Sequence, residues 1–395
     1  MIKFTCTPTP IFLTEFGTVI VSATQERMRL YLSTIPEPDA NRYRNYFDRK
    51  AIDDLLLCPP GNLTDHIDKV YSTFPELADR FWPAYLLTRL PDIGDIDDHE
   101  IRSSQGKATL EILATQVEAF LSDNQFKALT LLPKLLKELT TSNKASEKKK
   151  ALSKIRKAAK GDLILSEEDI KIFPTWINEF SKVFSYPDLS KKIGHKIINE
   201  WKIDVCLYCN DEGIQSRGKK DDFRTDLDHF YPKAKFPFLA ISLYNLVPAG
   251  GFCNQKFKRD SDMLDCAHPF EKGVGFEPLF HISYPVGGKL TTDNYSVELF
   301  PQDNKLDRSL QMFEIAHHYS NNRETQSLVA RAFGSIEFLL GLGSNNTSQD
   351  LIDEITKNTL TQIIDISLPS HASRKKKFIV DSVNQFAGKP LFDYI

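Results

Sequence analysis

Two cysteines with two residues between them, Cys206 and Cys209, are the first residues whose type and spacing suggest chemistry. Two thiols at this spacing can both reach one tetrahedral zinc ion when they lie at a turn. A third cysteine, Cys253, follows downstream and can close the intervening chain onto the same ion. The ion would then hold together a loop-rich segment that is too small to be stable through its own core. The spacing therefore predicts a structural zinc site.

A second group of residues lies between and just beyond these cysteines. It comprises the pair Asp228-His229, then Asn245, then Asn254 directly after Cys253. The carboxylate can bind a hard cation, and the imidazole can take up a proton near neutral pH. A carboxylate, a histidine and an asparagine that converge on one cation can hydrolyse a phosphodiester bond. An Asp-His pair alone is typical of a surface loop, but its place in this order indicates a nuclease.

Taken in order, these motifs resemble the HNH endonuclease family, in its zinc-bearing branch. The pattern of that branch is CxxC, DH, an Asn-Leu-x-Pro-like segment and CNxxK, and the resemblance covers residues 186–285, including the segment His268 to Phe270. Four ordered elements are far more specific than one. The resemblance implies a ββα-metal core: two short strands around the DH and Asn segments, followed by a helix that begins near Cys253.

The resemblance also implies a role for each matching residue. His229 is the general base that activates water, while Asp228 and Asn254 hold a divalent ion, Mg(II) or Mn(II). Asn245 braces the loop and orients His229. The implied products are a 5′ phosphate and a 3′ hydroxyl, with the ion stabilising charge on the phosphate.

The chain departs from the family pattern at one position. A second CxxC usually ends at the cysteine before the Asn, but Gly250 stands three residues before Cys253. The fourth zinc ligand is then expected to be Cys266 or His268, with Cys266 preferred because thiolates dominate structural sites. The alternative is that these cysteines no longer form a zinc site and that no zinc is bound.

Several clusters of basic residues could contact a nucleic-acid backbone. Lys256, Lys258 and Arg259 follow Asn254, and on a helix they would line the substrate. The segment 144–160 holds eight basic residues against one acidic residue, which fits either a solvated helix face or a phosphate contact. The shorter run 374–377 either contacts nucleic acid or begins a helix.

The composition limits the classes of protein to which the chain can belong. The net charge of −3 excludes nucleic-acid binding through bulk positive charge, and 41% hydrophobic residues provide material for folded cores. Apolar periodicity predicts a mostly α protein with the embedded ββα-metal module, α+β overall. We expect an N-terminal mostly helical domain, a basic linker or helical segment, the nuclease module and a C-terminal helical region, at residues 1–143, 144–185, 186–285 and 286–395 respectively.

The surroundings of the protein are predicted from what the sequence lacks. Its apolar stretches are shorter than the roughly 18 residues of a membrane span, and six cysteines are too few for a disulfide scaffold. We therefore expect no membrane contact and a cytoplasmic location.

Three functions remain open at this point. The first is a DNA endonuclease, and the second is a ribonuclease acting on structured RNA such as tRNA, because backbone contacts do not distinguish the sugars. The third is a catalytically silent zinc-stabilised module that binds nucleic acid or protein.

The spacing of the motifs and the segment 227–232 are also similar to HNH subunits of bacterial anti-phage defence systems, such as Septu-type nucleases that pair with an ATPase. That similarity suggests an antiviral role and an ATPase or sensor partner.

Overall fold

Short antiparallel strand pairs are embedded in a mostly helical chain, which confirms the expected α+β composition. The computed structural model describes residues 1–5, 7–94, 102–214, 225–275, 277–285, 290–291, 294–343, 349–361, 367–388 and 390–391. Parts of the predicted C-terminal region 286–395 therefore lie outside the described residues.

Helices and strands follow one another along the described residues in this order. The helices are α1 (Pro10–Phe16), α2 (Ser22–Leu32), α3 (Asp39–Tyr46), α4 (Arg49–Leu57), α5 (Leu63–Thr73), α6 (Pro75–Phe81), α7 (Ser104–Leu121), α8 (Leu131–Thr141), α9 (Ala145–Ala159), α10 (Glu167–Lys171), α11 (Thr175–Val183), α12 (Tyr186–Trp201), α13 (Asn304–Met312), α14 (Ile315–Asn321), α15 (Arg323–Gly343), α16 (Gln349–Thr361) and α17 (Lys376–Ala387). The strands are β1 (Asp226–His229), β2 (Leu246–Ala249), β3 (Phe280–Ser283) and β4 (Ser296–Leu299). None of the described helices combines the length and the apolar composition that crossing a bilayer requires.

The chain divides into two compact units that do not follow the four predicted ranges. The helical unit comprises Gly17–Tyr186 and Tyr231–Leu243, and the mixed unit comprises Met1–Phe16, Pro187–Phe230 and Tyr244–Ile395. The division is discontinuous because compactness depends on contacts in space and not on sequence order.

Aromatic packing forms the centre of the helical unit. The rings of Tyr43 and Phe74 lie 4.1 Å apart, and Phe47 stacks on Phe74 at 5.4 Å. Phe180 of α11 packs against Phe47 at 5.7 Å. Tyr43 and Phe180 have no exposed surface. Such rings bury large areas and favour tilted contacts, so they fix how α3, the Phe74 segment and α11 pack together.

The basic run 144–160 forms α9, which is amphipathic. Leu152 and Ile155 are buried on one side of the helix. Lys148 and Lys154 of the same helix pair with Glu111 and Glu138 at 2.5 and 2.8 Å. Four lysines also line a groove of about 750 Å³: Lys149, Lys150, Lys154 and Lys157. The helix therefore has a buried face together with the solvated cationic face that the sequence predicted as one of two readings.

In the mixed unit, β1 pairs antiparallel with β2 and β3 pairs antiparallel with β4. Within the region 286–395, which was predicted to be helical, β4 forms a strand because it pairs with β3, which lies just before that region. Asp381 of α17 accepts the N–H groups of Leu279 and Phe280, each at 2.9 Å. This carboxylate ties the last described helix to the start of β3.

A buried carboxylate caps α8 in the helical unit. Asp79 is fully buried in α6 and accepts the N–H groups of Thr130, Leu131 and Leu132 at 2.7, 2.7 and 3.1 Å. Burial raises the pKa of Asp79 to about 6, although the three N–H groups act to lower it. The first N–H groups of a helix have no partner within the helix, so this side chain satisfies donors that would otherwise be buried unpaired.

We predict that Asp79→Ala destabilises the protein by at least about 2 kcal/mol, because two buried donors and one partly buried donor lose their acceptor. Urea unfolding followed by circular dichroism measures the change. The matched control is Asp54→Ala on the exposed side of α4, which should change the stability by less than about 0.5 kcal/mol. Equal effects of the two substitutions would contradict the capping role.

Candidate functional site

Three cysteines from two segments of the mixed unit form a compact cluster. The sulfur atoms of Cys206, Cys209 and Cys253 all lie within 4.8 Å of one another, and all three residues are buried. Tetrahedral zinc sites use thiolates at such mutual distances. The cluster is therefore able to bind a metal ion such as zinc, as the CxxC spacing and Cys253 predicted.

A tight turn brings Cys206 and Cys209 together. Asn210 donates its N–H to the carbonyl of Cys206 at 2.8 Å, and Cys206 donates to the carbonyl of Glu212 at 2.9 Å. The N–H of Glu212 points at the sulfur of Cys209 at 3.4 Å. Asn210 adopts a left-handed conformation, with φ 56°, which asparagine tolerates better than most residues. Backbone donors aimed at sulfur favour the thiolate form.

The pKa values of the three thiols shift in different directions. Hydrogen bonds from Cys206 and Cys253 hold the pKa of Cys209 well below its usual range. Burial raises the pKa of Cys206, and hydrogen bonding to the other two sulfurs raises that of Cys253. Cys209 is thus the thiol of the set whose pKa is lowered. A divalent ion would stabilise the thiolate forms of the other two thiols as well and so release their protons.

The C-terminal part of the mixed unit braces this turn. Asp211 accepts from Arg374 at 2.9 Å, and its carboxylate lies 3.0 Å from Lys375 and 2.8 Å from His318. Burial acts to raise the pKa of Asp211, but His318, Lys375 and Arg374 outweigh it and hold the pKa well below its usual range. The hydroxyl of Tyr319 donates to the carbonyl of Cys209 at 2.8 Å. The cysteine turn is thus held from outside the loop.

The structure does not bring either predicted fourth ligand to the cluster. Within the described residues, the group that could hold a metal contains neither Cys266 nor His268. Cys266 is buried beside the hydroxyl of Ser309, and burial raises its pKa. His268 accepts the N–H of Phe270 at Nδ1, packs against Phe230 at 4.3 Å, and has its pKa lowered to about 3 by burial. The general preference of zinc sites for thiolates favoured Cys266, but it carries no information on whether the Cys266 side chain points towards the other three cysteines.

His229 and Asn245 lie at the paired ends of β1 and β2. In the register His229 faces Leu246, the residue after Asn245, and the N–H of Phe230 donates to the carbonyl of Asn245 at 2.9 Å. Asn245 has no exposed surface, and His229 is 9% exposed. The strand pairing therefore places His229 beside Asn245, the residue that directly precedes β2.

The carboxylate of Asp228 is fully engaged by protein groups. Lys258 donates to Oδ1 at 3.0 Å and to the carbonyl of His229 at 2.7 Å, while the Tyr208 hydroxyl donates to Oδ2 at 2.5 Å. The three side chains are buried. Burial raises the pKa of Asp228, and Lys258 and Tyr208 offset part of that rise. Lys258 was predicted to line the substrate, but its ammonium is instead the internal partner of a buried carboxylate.

Asn254 lies on the exposed side of the same region, next to a residue that the motifs did not indicate. Its amide donates to Oδ2 of the exposed Asp226 at 3.3 Å, and Gln255 donates to the same oxygen at 2.9 Å. Lys256 and Arg259 are exposed, as a role on substrate requires.

Sequence reasoning missed two residues of this region. Asp226 lies two residues before Asp228, so strand alternation places both on the same face of β1, and this was the signal that could have drawn attention to it. Tyr208, between the two cysteines, is the second residue that sequence reasoning missed.

We predict that Lys258→Met lowers the free energy of unfolding by about 3–5 kcal/mol, because it leaves Asp228 buried without its cation. Chemical denaturation measures the change. Lys256→Met removes an exposed lysine two residues away and should alter the stability by less than about 0.5 kcal/mol. If both variants were equally stable, the buried ion pair would have no part in holding β1.

We predict that Cys253→Ser loses bound zinc while Cys266→Ser retains it, because only Cys253 faces Cys206 and Cys209. Elemental analysis of purified protein gives the zinc content per chain. Equal loss in both variants would restore Cys266 as a ligand.

Comparisons of this chain with protein-family models, with curated proteins and with solved structures find no match. The resemblance of its motifs to HNH endonucleases therefore stays a hypothesis. Any argument about activity depends on the side chains and their arrangement.

Proposed function

We propose that this protein is an HNH-type endonuclease that hydrolyses phosphodiester bonds of nucleic acid, with DNA as the favoured substrate. The observation that carries the proposal is the order of elements around His229. The first strand ends with Asp228 and His229, and its partner strand begins directly after Asn245. A helical segment, Cys253–Lys258, follows, and Asn254 is its second residue. This order of strand, strand and helix is the one that the resemblance implies.

The chemistry assigned to the chain's own residues begins with His229. An imidazole that accepts a proton from water generates the attacking hydroxide, provided that its position is fixed. Its backbone is fixed twice, because Lys258 holds the His229 carbonyl and the pairing with β2 places the residue beside Asn245. Lys256 and Arg259 are exposed and supply positive charge for the phosphate backbone.

The predicted ion between Asp228 and Asn254 does not fit the arrangement of side chains. One oxygen of Asp228 is bonded to Lys258 and the other to Tyr208, while Asn254 is bonded to Asp226. The ammonium of Lys258 already compensates the charge that a cation would compensate.

We predict that purified protein cleaves plasmid DNA and that His229→Ala lowers the rate by about 10²- to 10⁴-fold, the usual range for loss of a general base. The assay compares plasmid, single-stranded DNA and total RNA, each with and without chelator. His317→Ala, which changes an exposed histidine on α14, is the matched control and should cleave as the wild type does.

Cleavage of RNA in preference to DNA would keep the reaction and change the substrate. Absence of cleavage by the wild type on every nucleic acid, or equal cleavage by His229→Ala, would contradict the proposal.

A second candidate function is a catalytically silent module, stabilised by metal, that binds nucleic acid. The closed contact between Asp228, Lys258 and Tyr208 favours it, because all three polar groups are used inside the protein. Gel-shift binding that is equal in wild type and His229→Ala, without cleavage in either, would support this candidate over the nuclease.

A further inference from the structure

The three-cysteine cluster lacks one donor of a four-coordinate site. Closed structural zinc sites have four protein ligands, and Cys206, Cys209 and Cys253 provide three. The chain has a glycine, Gly250, three residues before Cys253, where the second pair of a four-cysteine site would begin. A cysteine at position 250 would need space for its side chain.

That space is filled by the carboxylate of Glu212. A Cβ atom built on Gly250 would lie 2.0 Å from Oε2 of Glu212, 2.2 Å from its Cδ and 2.8 Å from its Cγ. Real Cβ atoms do not approach other atoms so closely. The φ angle of Gly250 is not in the left-handed region, so the reason for glycine here is space and not backbone conformation.

The carboxylate of Glu212 is held at one oxygen and open at the other. Oε1 accepts the N–H of Gly251 at 2.9 Å. Oε2 is buried and has no hydrogen-bond partner among the described residues. A buried carboxylate oxygen without a partner is costly and calls for a cation or a donor. The three-thiol cluster, whose second cysteine precedes Glu212 by three residues, could place a cation there.

The backbone of Glu212 already belongs to the cysteine turn. Its carbonyl accepts the N–H of Cys206, and its own N–H points at the sulfur of Cys209. The carboxylate is not part of the group whose atoms all lie within 4.8 Å of one another, so coordination requires it to turn towards the sulfurs. A glutamate side chain can do this by rotating its own torsions.

We propose that Glu212 is the fourth ligand of the metal ion held by Cys206, Cys209 and Cys253. Gly250 has no side chain to block this carboxylate, which lies against it here and must turn from there towards the sulfurs to bind the ion. The chain thereby replaces a four-thiolate site with a site of three sulfurs and one oxygen. The inference rests on the three-cysteine metal site and is independent of the nuclease activity.

The test measures the ligands of zinc in the full-length protein by X-ray absorption, together with zinc affinity by competition with a chromophoric chelator. The wild type should show three sulfurs and one light atom. Glu212→Gln keeps the size of the side chain and should weaken zinc binding by at least about tenfold, since even outer-shell changes cost about 10- to 100-fold. Glu271→Gln, an exposed glutamate of the same unit, is the control and should bind as the wild type does.

A pair of substitutions tests the exchange of space directly. Gly250→Cys alone should impair zinc binding, because the new side chain meets Glu212. Glu212→Ala combined with Gly250→Cys should restore tight binding with four sulfurs around zinc, so the two changes are strongly non-additive. This double variant remains informative if Glu212→Gln does not fold.

Four results would overturn the inference. They are four sulfurs around zinc in the wild type, an unchanged affinity in Glu212→Gln, three sulfurs in the double variant, and a wild type that binds no zinc. The last of these would remove the three-cysteine site as well, whereas the first three would leave that site in place and reassign only its fourth ligand.

Discussion

The closeness of three thiols is the constraint on which the mixed unit depends. Cys206 and Cys209 belong to one segment and Cys253 to another, and their sulfurs form one buried group. Tyr208 lies between the first two cysteines, so the cluster also determines where its hydroxyl points. That hydroxyl donates to Asp228, the residue before His229. The position of β1 is in this way linked to the cluster through one hydrogen bond.

Three buried lysines of this unit each pair with a buried aspartate. Lys258 pairs with Asp228, Lys375 with Asp211, and Lys377 with Asp381, at 3.0, 3.0 and 3.1 Å. Residues 374–377 were interpreted either as a nucleic-acid contact or as the start of a helix, and they precede and begin α17 with Lys375 to Lys377 buried. Clusters of basic residues in a sequence cannot be assigned to the surface by charge alone, because a carboxylate far away in sequence can take each of them inside.

Apolar periodicity predicted the helical content, and the spacing of the cysteines predicted that three of them meet, whereas the place of Asn245 beside His229 was expected only from the resemblance to HNH endonucleases. The sequence could not predict the partners of Asp228 or the space at Gly250. Lys258 reaches Asp228 because residues 253–258 form a π-helical turn, with the N–H of Arg259 donating to the carbonyl of Asn254. On an ordinary α-helix the same residue would point in another direction. Contacts of this kind depend on tertiary packing and leave no periodic signal.

One electrostatic requirement explains why the motif and the structure give different partners to Asp228. A carboxylate taken out of water must be neutralised or must have a cation beside it. The motif assigns that cation as a metal ion, and the structure supplies the ammonium of Lys258, with Tyr208 satisfying the other oxygen. Both solutions demand the same burial and the same acid at position 228. The acid alone therefore cannot distinguish a metal ligand from one half of an ion pair, and the distinction lies in Lys258, whose position the turn after Cys253 decides.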